Sequence, residues 1–123
     1  MNLSLIFRLL AAFNALWAVQ LIFMPNMMIA MYGWAPSIGL YAIAQAAGTA
    51  MLGLAIIAYG LPNWTSEEQL KTAAKSVGLV AALFVLLQLY QILISGAAPG
   101  GAMDWISTAI TALFAIGLFA KSR

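Results

Sequence analysis

The chain has 123 residues, 65% of them hydrophobic and only 7% charged, with five Lys or Arg against three Asp or Glu and a net charge of +2. One water-facing domain of that composition would leave most of its apolar surface in solvent, so the composition is that of a membrane protein. There is no cysteine and no histidine, which excludes disulfides, thiolate metal sites, cysteine nucleophiles and the imidazole that most often serves as metal ligand or near-neutral base.

Four long apolar stretches, 5–24, 37–60, 73–95 and 104–120, each come near the ~20 residues that cross ~30 Å of hydrocarbon. The first is expected to start near Asn2 or Ser4, either of which can accept from an exposed backbone N–H, and to stop near Pro25. It reads as a retained helix rather than a secretory leader, because it outruns a leader's ~7–15-residue apolar core and ends in Phe23-Met24-Pro25-Asn26 instead of small residues. Residues 27–34, with Tyr32 and Trp34, are too short to span and read as a helix or turn lying at the headgroup level. Pro36 and Ser37 open a second spanning helix that is expected to end at Gly60-Leu61-Pro62-Asn63.

Thr65-Ser66-Glu67-Glu68 fits a capping box between the Thr65 hydroxyl and the Glu68 carboxylate. A helix over 66–95 would be about 45 Å long, so its first turns, carrying Glu67, Glu68, Lys71 and Lys75, project beyond the bilayer. Gly96 and Pro99-Gly100-Gly101 end it, and Asp104 is placed to cap the N-terminus of the last helix. The two halves share a plan of helix, Pro- and Trp-containing connection, and helix, but their side chains correspond poorly, so an internal duplication has little support.

All five basic residues, Arg8, Lys71, Lys75, Lys121 and Arg123, fall on one side of this plan. The side that keeps Lys and Arg in short loops is the cytoplasmic one. The expected fold is therefore a single all-α domain over 1–123, an integral membrane bundle of four transmembrane helices with cytoplasmic N- and C-termini. Its setting is a bacterial inner membrane, its surroundings are membrane lipid and other integral subunits, and nucleic acid is not a partner, since the positive charge is accounted for by topology.

Three constellations carry the functional reading. Ala42, Ala46, Thr49, Ala50 and Gly53 recur at helical spacing on one face of the second spanning helix, a face that permits close backbone contact either within this chain or with another protein. Asn14 is expected close to the midplane, while Gln45, Gln88, Gln91 and Thr108 lie at comparable outer depths. They serve either as interhelical hydrogen bonds or as an amide-lined site for a quinone, isoprenoid, pigment or lipid. Met24, Met27, Met28 and Met31 have the softness for Cu(I), although methionine at such spacing also serves as plain apolar packing. No Asp, Glu, Lys or His lies deep in a span, which argues against proton coupling and against general acid–base catalysis. The expectation is a chain with no catalytic residues, no resident cofactor and no metal requirement.

Arg8-Leu9-Leu10-Ala11-Ala12-Phe13-Asn14, then Phe23-Met24-Pro25, then Ala47-Gly48-Thr49-Ala50-Met51-Leu52-Gly53-Leu54 together resemble small four-helix bacterial membrane proteins of the DoxX-like kind. The resemblance implies an accessory role near quinone-dependent redox complexes and transfers no catalytic residue. The leading expectation is a non-catalytic accessory subunit of a larger membrane complex, one that handles quinones or pigments. The alternative, from a different class, is a small carrier of a hydrophobic ligand.

Overall fold

The structure, a computed structural model, describes residues 2–123. Five α-helices follow one another: α1 (Leu3–Phe23), α2 (Pro25–Met31), α3 (Ile38–Trp64), α4 (Glu67–Tyr90) and α5 (Ala102–Lys121), with a π-helix at Gln91–Ser95 continuing from α4. Four of the resulting helical runs, Leu3–Phe23, Ile38–Trp64, Glu67–Ser95 and Ala102–Lys121, are long and apolar enough to cross a membrane. Many of their large side chains, Leu16, Ile43, Leu83 and Leu113 among them, face outward, as suits a surface solvated by lipid rather than water.

The helix ends follow from local chemistry. Asn2 caps α1, its Oδ1 accepting from Leu5 N at 2.9 Å, and Ser37 caps α3 in the same way through Leu40 N at 3.1 Å. The short helix α2 carries Pro in its first turn, where the missing N–H is no loss. It closes with Gly33 N donating to Ala30 O and Trp34 N to Ile29 O. Gly33 sits there at φ 73, the left-handed conformation that this doubled C-cap requires. On either side of it, Tyr32 and Trp34 stack with ring centroids 5.2 Å apart.

Three expected boundaries are corrected. The helix does not stop at Gly60: α3 runs through Pro62 to Trp64, so the proline removes one donor near the end of a helix already fixed by its preceding turns. The capping box before α4 uses Ser66 and Gln69 rather than Thr65 and Glu68, with Gln69 N donating to Ser66 Oγ at 3.2 Å and Ser66 N to Gln69 Oε1 at 2.9 Å. The shift by one residue leaves the Glu67 and Glu68 carboxylates outside the box. Asp104 is not the N-cap of α5 but its third residue, reaching back so that its Oδ2 accepts from Gly100 N at 2.9 Å and Gly101 N at 3.3 Å.

The chain divides into two compact units, one of Phe7–Leu61 and the other of the residues up to Ile6 together with Pro62–Arg123. Within the first, α1 meets α3 at Gly48, where an added Cβ would lie 2.8 Å from Ile22 Cγ1 and 3.0 Å from the Ala18 carbonyl oxygen. Within the second, Gly78 of α4 faces Leu118 and Phe119 of α5, while Gly100, just before α5, faces Ile92 of the π-helix. α4 and α5 therefore run antiparallel. Their seam is built from small residues, with Ala74, Gly78, Ala81 and Ala115 all buried, because helices in lipid are held by close packing rather than by expelled water.

Candidate functional site

Gly48, Ala55 and Ala58 make the packed face of α3, while Gly60, also buried, lies near the helix end on the other side. At ~100° per residue, Ala42, Ala46, Thr49 and Gly53 fall roughly on the opposite side, with Ala50 beside them. Ala42, Ala46, Thr49 and Ala50 are exposed, and Gly53 has nothing within 4 Å of where a Cβ would stand. The small-residue stripe is thus not the face by which α3 packs in its own unit. Exposed Ile43, Leu54 and Ile57 rise on one side of it and Leu52 and Ile56 on the other, making a shallow trough between two aliphatic ridges. Thr49 adds no free polarity, since its Oγ1 donates to Gln45 O at 2.9 Å. The outward faces of the other unit differ: α4 presents Leu79, Leu83 and Leu86, and α5 presents Ile106, Leu113 and Ile116.

The five candidate ligand-binding residues divide by what their side chains do. Asn14 Nδ2 donates to Leu10 O one turn back at 2.9 Å. Gln45 Nε2 donates to Ile22 O at 3.3 Å, tying α3 to the end of α1. Both amides lie in the first unit and have structural work. In the second unit Thr108, 6% exposed, donates through Oγ1 to Asp104 O at 2.7 Å. Gln91 opens the π-helix and its carbonyl accepts from Ala98 N at 3.3 Å across the following loop.

Gln88 differs from all of these, because its Oε1 is fully enclosed and accepts no hydrogen bond. An enclosed acceptor without a donor costs about 1–3 kcal/mol, more than a typical hydrogen bond contributes. No signal in the sequence separates Gln88 from Gln91, or the buried Gly48 from the exposed small residues of the same helix.

Of the four methionines considered for copper, Met28 is 2% exposed and belongs to the core, while Met24, Met27 and Met31 are exposed. Among the described residues no group of three or more His, Cys, Asp or Glu side chains comes together to hold a metal. Compared with protein-family models, with curated proteins and with solved structures, the chain matches none.

Proposed function

We propose that this chain is a non-catalytic accessory subunit of a larger membrane complex, set in a bacterial inner membrane with both ends in the cytoplasm. The observation that carries this reading is the trough on α3. Lipid chains are best met by bulky, mobile aliphatic side chains, and small residues along a spanning helix serve to let another helix come close. Here the small residues Ala42, Ala46, Ala50 and Gly53 lie away from the packed face and between ridges that would interdigitate with a partner's side chains. The partner is another integral subunit, and the accessory role agrees with what the resemblance to DoxX-like proteins implies, including proximity to quinone chemistry carried out elsewhere in the complex.

Crosslinking in the membrane before detergent extraction, followed by sizing, tests the proposal. The native chain should appear in a larger species. Ala46→Leu should leave the unfolding temperature of the isolated chain unchanged, since the site is exposed, while abolishing that species. A native chain that runs as a free monomer at every loading refutes the reading.

A further inference from the structure

We infer that the end of the α4 and α5 pair where Lys75 and Arg123 lie binds an anionic phospholipid, its phosphate held by Lys71, Lys75 and Arg123 and its acyl chains laid along the seam of the two helices. The inference goes beyond the accessory role and does not depend on the α3 trough. Its anchor is the contact of Gly78 with Phe119, where a Cβ at Gly78 would stand 3.3 Å from the far edge of the ring. Because α4 and α5 are antiparallel, the residues before Gly78 and those after Phe119 lead to the same end of the pair. Lys75 and Lys71 precede Gly78 by three and seven residues, and Arg123 follows Phe119 by four, spacings that keep helical residues on one edge. Ser122 holds a helical backbone at φ -84 and ψ -2, and its N–H donates to Phe119 O at 3.3 Å, so the turn that leads to Arg123 continues α5. At ~1.5 Å per residue, Lys75 and Arg123 stand about 4.5 and 6 Å beyond the contact, at one level on one side of the seam. Lys121, only two residues after Phe119, falls roughly 200° round α5, on the other side.

The ~30 Å that separate Lys75 from Ser95 along the helical run match the hydrocarbon thickness, which sets Lys75 at the level of the headgroups. Lys75 and Arg123 are exposed and Lys71 is half-buried. The carboxylates of this end, Glu67 and Glu68, stand in the first turn of α4, and among the described residues no ion pair joins them to these cations. A positive excess is therefore open to the headgroup layer. Next to it the surface turns apolar: Leu79 and Leu86 continue the Lys75 edge of α4, Phe119 and Ile116 continue the Arg123 edge of α5, and all four are exposed. Ala74 and Leu118, both 0% exposed, fix the spacing of the two helices between these rows. Cations set above two apolar rows match a molecule with an anionic head and two long chains. Its phosphodiester offers oxygens that a guanidinium can meet with paired N–H donors and that ammonium groups can meet as point charges. Basic sites between membrane helices bind such headgroups, whereas a zwitterionic head sets its own ammonium against the same cations.

The test is thermal unfolding of the purified chain in neutral detergent with phosphatidylglycerol, with phosphatidylcholine of the same acyl chains, and with inorganic phosphate. Phosphatidylglycerol should raise the unfolding temperature by about 3 °C or more, with nothing comparable from the other two. Lys75→Gln and Arg123→Gln should each lose half or more of that gain, and Lys75→Arg should keep it. Lys121→Gln, which removes the same charge from the other side of α5, should also keep it. Equal shifts with the two lipids, a shift reproduced by inorganic phosphate alone, a loss in Lys121→Gln as large as in Lys75→Gln, or full retention by both Lys75→Gln and Arg123→Gln would each overturn the assignment.

Discussion

Two glycines on the same helix show how position decides what a side chain can do. At Gly48 a methyl group would stand 2.9 Å from Leu21 Cβ and 3.0 Å from the Ala18 carbonyl oxygen, neither of which can swing aside, since both belong to or adjoin the backbone of α1. At Gly53 it would meet nothing within 4 Å. Gly48→Ala should therefore lose about 1–3 kcal/mol through forced separation of α1 and α3. Gly53→Ala should be neutral or gain up to about 1 kcal/mol from helix propensity. Reversible unfolding of both variants in mixed micelles measures the contrast, and equal effects would mean that α1 and α3 do not approach as closely as described. Gly78 is intermediate: its nearest neighbour would be the far edge of the Phe119 ring at 3.3 Å, which can turn, so a single methyl group there is tolerated.

At the scale of an element, α4 is informative at both ends. Its start is fixed by the reciprocal pair Ser66 and Gln69, which satisfies two exposed donors at once. Ser66→Ala should cost about 1 kcal/mol. Gln69→Ala should speed amide hydrogen exchange at Ser66, whereas Glu68→Gln should leave exchange at both Ser66 and Gln69 as it was. Faster exchange in the Glu68 variant alone would restore the pairing of Thr65 with Glu68. Its far end passes into the π-helix, whose wider turn no propensity of Gln91-Ile92-Leu93-Ile94-Ser95 foretells. The interruption is selected by the loop beyond, where Ala98 N reaches back to Gln91 O and Gly96 supplies the left-handed turn.

For the whole molecule, the placement of charge bears on orientation in the bilayer. On the orientation proposed from the charge pattern, the connections after α1 and after the π-helix would face the outer side, since neither contains Lys or Arg. Single cysteines at Ser37 and Ala98 would then differ in one respect from each other: Ser37 is exposed, while Ala98 is 7% exposed. An impermeant thiol reagent applied to intact cells should label Ser37→Cys readily and Ala98→Cys more slowly, and should not label Ser66→Cys until the membrane is opened. Labelling confined to Ser66→Cys would invert the topology.

The sequence alone determined the number of membrane-length helices, their approximate spans and the short segment between the first two, because apolar length and Pro, Gly and Asn punctuation act locally. It also marked Ala42, Ala46, Thr49, Ala50 and Gly53 as one face, since helical spacing needs no tertiary knowledge. Which way that face points was decided only by tertiary structure: α1 packs on the Gly48 side, and the two small-residue faces of α3 are alike in composition. The same holds for the amides. Asn14 finds Leu10 O one turn back in its own helix, whereas for Gln45 and Gln88, similar side chains at similar depths, only the packed backbone shows that Gln45 has Ile22 O within reach while Gln88 Oε1 is enclosed without a donor. The Gln45 bond and the enclosure of Gln88 depend on which chain segment arrives from afar, and that is set by packing, not by the residue or its neighbours in sequence.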